Sequence, residues 1–184
     1  MSRAVEFWSG GHGVPKSAAG RAQRLEAEGW SGMGVVDSQC LSGDTYVALA
    51  MAAAATSRIK LAPAVTNSAT RHPAAAATAA ASVQAESDGR FVLGIGRGDS
   101  ALAYLGLAPA PLKQFEHYLE RLQGYLRREE VPFDLETDAV SGLKSSDTLG
   151  MSGGPTASRL KWLRDDNPKV PVDVAASGPK VIAL

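Results

Sequence analysis

The chain has 184 residues, and its 19 Lys and Arg are balanced by 19 Asp and Glu, so the formal net charge is zero. No basic field is present for a phosphate-rich partner, which excludes nucleic-acid binding as the main role. A composition of 45% hydrophobic and 21% charged residues is that of a soluble globular protein, and the one cysteine, Cys40, excludes an intramolecular disulfide framework or a multi-thiolate metal site.

Residues 5–8 read as a short strand that Gly10 and Gly11 then turn. Pro15 suits the first turn of a helix on which Ala18, Ala22 and Leu25 share a face, and Gly29 is placed to end it. Residues 34–36 form a buried strand ending at Asp37, and Asp44 is a good N-cap for a helix over 45–56 made almost wholly of small residues. A third strand covers 59–65, a loop covers 66–72, and Pro73 starts a helix that runs to about Glu86. Asp88-Gly89-Arg90 turns into a fourth buried strand at 91–95. Residues 111–128 are the clearest amphipathic helix, with Leu112, Phe115, Leu119, Leu122 and Leu126 in one stripe.

Residues 129–167 lack sustained periodicity and read as an irregular excursion with one short element near 160–163. A fifth strand follows at 170–175, bounded by Ser177-Gly178-Pro179, and another helix is due at 181–184. Strands alternating with helical patterns give right-handed βαβ units and a parallel sheet. No domain boundary is visible, so 1–184 reads as one α/β domain.

The N-terminal residues have no long apolar core and do not read as a secretory signal, and the alanine-rich stretches 48–55 and 74–81 are too short to span a bilayer. The expectation is a cytoplasmic protein with no membrane partner.

Conventional motifs fail. Gly94, Gly96 and Gly98 follow a strand, but the third glycine comes one position too early for a dinucleotide loop. Arg97-Gly98-Asp99 spells a cell-adhesion tripeptide and is read as coincidence. His12, His72 and His117 are too scattered to ligate a metal, and no base neighbours Cys40 in sequence to make it a nucleophile.

What remains lies just past strand ends, where parallel α/β folds bind their ligands: Asp37-Ser38-Gln39, Thr66-Asn67, residues 96–100 and Ala176-Ser177-Gly178. Asp37 has two readings, a hydrogen bond to a ligand or a cap on the loop backbone. Asn67 serves a ligand or a turn. Gly94, Gly96 and Gly98 admit either a flat ligand close to the backbone or tight strand-to-loop packing. Asp99 is a proton donor if burial against a ring raises its pKa, and otherwise it or Ser100 caps a helix.

These residues, together with residues 61–67, Thr70-Arg71-His72-Pro73, residues 93–100 and residues 175–180, resemble the bacterial luciferase-like oxidoreductases. The resemblance is strongest to the branch related to methylenetetrahydromethanopterin reductase, which uses the deazaflavin coenzyme F420, and it covers essentially the whole chain. It implies a (β/α)8 (TIM) barrel with a deazaflavin or FMN at its C-terminal mouth. The enzyme would transfer hydride between coenzyme F420 or FMN and a small organic substrate, or activate oxygen through flavin as a monooxygenase.

Carried over by position, a non-prolyl cis peptide would join Ala64 to Val65 and support one face of the ring. Asp37, Asn67, Gly96, Ser177 and Gly178 would contact the cofactor, and Asp99 would be the acidic catalytic residue near the reactive ring edge. Ser38 stands where some relatives carry a catalytic histidine, so no general base is assigned.

Full barrels need about 250 residues. The expectation is therefore the N-terminal part of a barrel, about five β/α units, and a homodimer if complete. The alternative is a catalytically incomplete half-barrel whose unpaired strand edges need association to fold.

Overall fold

Glycines in the first two strands leave room that the side chains of other residues fill. Strand β1 (Trp8–Gly11) lies parallel to β2 (Gly32–Val35) with Trp8 opposite Gly32, where a Cβ would stand 2.2 Å from the Trp8 ring. At Gly11 the space a Cβ would need is filled by the Arg21 guanidinium, 2.7 Å away, which donates to the Ser9 carbonyl. The expected strand at 5–8 is thus displaced, and the expected Gly10-Gly11 turn is strand. The computed structural model describes residues 5–134, 148, 150 and 155–183.

Helix α1 (Pro15–Ala27) starts on its proline and buries Ala18, Ala22 and Leu25, as their spacing predicts, and Gly29 follows it with φ of 85°. Helix α2 (Thr45–Ala55) is capped by Asp44, whose Oδ1 accepts from the Tyr46 and Val47 N–H groups. Helix α3 (Pro73–Glu86) begins on Pro73, with His72 Nδ1 accepting from the Ala74 N–H. α1 packs on α2 and α2 on α3, through buried alanines such as Ala22, Ala52 and Ala80. Small side chains at these contacts allow close helix axes.

The strand expected over 59–65 stops at Pro63, and a second short strand follows it. β3 (Lys60–Pro63) pairs in parallel with β2, and β4 (Thr66–Asn67), expected as loop, pairs in parallel with β5 (Leu93–Gly96). Between them the Ala64–Val65 peptide is cis. The chain therefore passes from one neighbouring strand to the next between residues 60 and 67. A bridge between Leu61 and Phe91 ties the two halves, and β8 (Val172–Val174) adds in parallel to β5. The result is a curved parallel array in the order β1, β2, β3 with β4, β5, β8, in which β2, β3, β5 and β8 are each reached through a helical crossover or the excursion. This is the architecture of part of a (β/α)8 barrel.

After β5 comes a single turn of helix, α4 (Ser100–Ala103), and then α5 (Leu112–Leu126), which packs on α3. Phe115, Leu122 and Leu126 of its predicted stripe are buried, joined by Tyr118 and Tyr125, whereas Leu112 and Leu119 are only half-buried. Of the excursion at 129–167, positions 135–147, 149 and 151–154 lie outside the described residues. Among the rest, β6 (Val131–Pro132) pairs antiparallel with β7 (Ala157–Ser158). The short element expected near 160–163 is a turn, anchored by the buried Leu160 side chain. The last element, α6 (Pro179–Ile182), is again a single turn.

The N-terminal ends of the strands are held by polar staples. Glu26 Oε1 accepts from the Ser57, Arg58 and Ile59 N–H groups at 2.6–3.0 Å, just before β3. Arg90, just before β5, donates to Ser87 O, Ala53 O, Thr56 O, Thr56 Oγ1 and Ile59 O at 2.8–3.0 Å. Backbone groups that leave a helix end or precede a strand would otherwise lack partners there.

Candidate functional site

At the opposite, C-terminal ends of the strands lies a cleft of about 700 Å³. It is bordered by the segments that follow β2, β3, β5 and β8, together with β4 itself. Of the residues expected to bind a ligand, Asp37, Ala64, Val65, Asn67, Gly96 and Ser177 line it, and Asp99 joins them. Gly178 does not line it. Its carbonyl instead accepts from the Val181 and Ile182 N–H groups to start α6.

Asp37 is only 3% exposed, and its carboxylate is held by side chains. Oδ1 accepts from Gln39 Nε2 at 2.9 Å, and Oδ2 accepts from Thr66 Oγ1 and Arg71 Nη1, both at 2.6 Å. Its partners are side chains, so it does not cap the loop backbone, and it borders the cleft. Arg71 in turn reaches Asp44 Oδ2 through Nη2 at 2.9 Å and lies 4.9 Å from the Tyr46 ring centroid. Burial works against the Arg71 charge, but Asp37, Tyr46 and Asp44 outweigh it and hold the guanidinium pKa above its ordinary value. Burial pushes the Tyr46 hydroxyl up as well. A buried carboxylate with a bidentate cation between it and a second carboxylate is compensated charge, which a lone buried Asp would not be.

Asn67 is oriented by its own turn. Oδ1 accepts from the Ala69 and Thr70 N–H groups at 3.0 and 2.9 Å, so the amide has one possible sense and Nδ2 faces away from that turn. Nδ2 is buried without a protein partner, and so is Ser38 Oγ, also in the cleft lining. Buried polar atoms are normally satisfied, so these two orphans in residues of the cleft lining stand out.

The apolar floor is Val65, which is 39% exposed between the exposed Ala64 and the buried Thr66. Glycines make room beside it. A Cβ on Gly94 would meet Pro63 O at 2.4 Å, so at that position close strand packing is what requires glycine. A Cβ on Gly96 would approach Val65 Cγ2 at 3.3 Å and Ala175 Cβ at 3.5 Å, on the cleft side. Gly98 has φ of 83°, a region that favours glycine, and packs on Leu102 and Asn67.

Asp99 is exposed on the rim and makes no side-chain cap to α4. Arg97 was overlooked in the sequence because it falls inside the adhesion-like tripeptide. Its Nε donates to Ala110 O at 2.6 Å and Ala110 N–H returns a bond to Arg97 O, which anchors the α4–α5 connection. Among the described residues its Nη groups have no partner, and it lines the cleft as a cation. Cys40 is exposed in the loop after β2, with φ of 71°. Among the described residues no group of three or more His, Cys, Asp or Glu is arranged to hold a metal ion, and no helix is long and apolar enough to cross a membrane.

Comparison with known proteins matches residues 4–184 to the luciferase-like monooxygenase family. The chain is 28% identical over 165 residues to the 5,10-methylenetetrahydromethanopterin reductase of Methanolobus tindarius, an alignment covering 89% of this chain and 45% of that protein. In fold it is similar to the coenzyme F420 dependent tetrahydromethanopterin reductase of Methanopyrus kandleri, with a TM-score of 0.76, 23% identity, and coverage of 98% of this chain and 52% of that one. It is also similar to the oxygenating constituent of 3,6-diketocamphane monooxygenase from Pseudomonas putida in complex with FMN, with a TM-score of 0.60, 21% identity, and coverage of 73% and 42%. The chain thus spans about half the length of the relatives it matches.

Proposed function

The chain belongs to the luciferase-like monooxygenase family, and on that premise we propose that its strand-end cleft binds coenzyme F420 or FMN for oxidoreduction of a small organic molecule. The observation that carries this reading is the composition of the cleft lining: Asn67 and Ser38, each with a buried polar atom that lacks a protein partner, beside the exposed apolar side chain of Val65. A flat heteroaromatic ring with polar edge atoms fits both requirements, since its face packs on Val65 and its edge supplies what the orphaned atoms lack. The similarity to an F420-dependent reductase favours coenzyme F420, and the FMN complex among the relatives supports FMN as second choice.

When bound, either group supplies the hydride or oxygen chemistry itself. The work of this chain is to orient and to exclude water. Ala64, Val65 and Gly96 form the floor, and Asn67 fixes the sense of the edge through one donor. Ser177 borders the far side of the cleft, and Gly178 acts by starting α6 beside it. Arg97 offers a free guanidinium edge to an anionic substituent. Asp99 is the acid we place at the rim, where ligand binding would cover it.

A second reading, in which the cleft needs further barrel strands before it closes, is favoured by β8. Its partner among the described strands is β5, and its Val174 is exposed. Titration of the purified protein with coenzyme F420 and with FMN, following cofactor fluorescence and oligomer mass together, tests the proposal. Saturable binding to a folded species is expected. Binding of neither cofactor by protein with native circular dichroism overturns it.

A further inference from the structure

We propose that Arg71 is a positioning residue for the cleft, acting through the charge of Asp37. The inference rests on the cofactor reading above and deepens it. Arg71 is the only residue described that joins the segment after β2, the start of α2 and the turn after β4, through Asp37, Asp44 and its own backbone. Its main chain is fixed from three directions. The turn closed by Asn67 Oδ1 ends at Thr70, the α3 cap begins at His72, and the Arg71 carbonyl accepts from the Tyr118 hydroxyl of α5 at 3.1 Å. With the backbone pinned, the side chain is free to act electrostatically rather than as a packing element.

That action is specific. Asp37 is nearly inaccessible, and Thr66 commits its hydroxyl hydrogen to the same Oδ2 that Arg71 holds. The groups charged or titratable around Asp37 are Arg71, Asp44 and Tyr46, and Arg71 is the cation of the set. Removing it leaves one buried and one half-exposed carboxylate facing each other, so the β2-end and β4-end segments separate or rearrange. Ser38 and Asn67 follow Asp37 and Thr66 directly in sequence. Their unpartnered polar atoms move with those segments, and the cleft loses the donor geometry that meets the ligand edge.

The test uses Arg71→Gln, Asp37→Asn and the double variant, with coenzyme F420 and FMN as separate probes and amide hydrogen exchange as a readout independent of either. Arg71→Gln is expected to raise the cofactor Kd about tenfold and to speed exchange at Ala69 and Thr70 while residues 93–96 stay protected. Adding Asp37→Asn removes the stranded charge and is expected to return the Kd to within about threefold of wild type, the coupling expected of residues in direct contact. Unchanged Kd and exchange in Arg71→Gln, or a double variant no better than the single, overturns the proposal. If Arg71→Gln fails to fold, a double variant that folds with wild-type exchange supports charge positioning, and one that also fails overturns it. If the wild type binds neither cofactor, the functional reading fails, and the exchange arm still decides the role of Arg71.

Discussion

Val65 rests against the open side of Gly96, its Cγ2 3.3 Å from where a Cβ on that glycine would stand. The contact leaves one apolar face for a ligand and little spare depth beneath it. A methyl at residue 96 is expected to shift Val65 by a few tenths of an ångström, whereas Gly96→Leu fills the floor. Fluorescence titration is expected to show Gly96→Leu weakening cofactor binding by more than about tenfold with a cost in stability of about 1–3 kcal/mol. Unaltered affinity would remove the cleft floor from the binding surface.

Asn67 separates two functions on one side chain. Asn67→Ala strands the Ala69 and Thr70 N–H groups and is expected to cost about 1–3 kcal/mol in chemical denaturation. Asn67→Asp retains an acceptor for both N–H groups and exchanges the free donor for an acceptor. Because residue 67 is only 2% exposed, the new carboxylate costs stability, and the expected phenotype is a loss of cofactor binding larger than that loss of stability accounts for. Equal losses of both would mean that Nδ2 has no ligand role.

Arg97 is the uncommitted cation of the cleft. Comparison of FMN with riboflavin, which lacks the phosphate, isolates its contribution. Wild type is expected to prefer FMN, and Arg97→Gln to narrow that preference about tenfold or more, in line with the strength of a charge-assisted pair. A preference that survives the change assigns the anion elsewhere.

Asp99→Asn is expected to lower turnover while leaving the cofactor Kd in place, because the residue stands on the rim and not on the floor. Full turnover in the variant would exclude the carboxyl as the proton source.

Glu26 supplies a pH signature far from the cleft. Its partial burial would raise the pKa, but the N–H groups of Ile59, Arg58 and Ser57 outweigh this and hold it below the ordinary 4.5. The folded value is the depressed one, so the contribution to stability is present above the unfolded pKa and is lost as pH falls through the folded pKa. Glu26→Gln is expected to cost about 1 kcal/mol at neutral pH after allowance for solvent screening. The gap should close below the ordinary carboxylate value in urea titrations. A gap independent of pH would mean that the charge is immaterial.

Most of the strand ends were legible because the chemistry there is carried by residues with strong local preferences: Asp44 before α2, Pro73 at the start of α3, Asn67 in its turn. The end of β3 at Pro63 and the separate strand β4 were not, since the sequence from 59 to 67 has no internal mark for a change of pairing partner. The resemblance to a family, rather than periodicity, placed a cis bond between Ala64 and Val65. The glycines of β1 were misread as a turn because the reason for them, the Trp8 ring on Gly32 and the Arg21 fork on Gly11, lies in other elements. The Asp37–Arg71 pair spans 34 positions and follows no helical or strand period, so no window of sequence contains it. Tyr118 and Tyr125 escaped the stripe on α5 because tyrosine buries its ring while sending its hydroxyl to a polar partner, Arg71 O and Ser158 Oγ respectively.

The staples made by Glu26 and Arg90 converge on residues 53–59, at the end of the strands away from the cleft. The order of the strands is thereby guaranteed by one rim, and ligand preference is written on the other. A chimera that imports the connection 97–111 from a relative touches none of those bonds. Exchange of mouth loops between family members is a route to altered selectivity that leaves the scaffold's thermodynamic reserve intact.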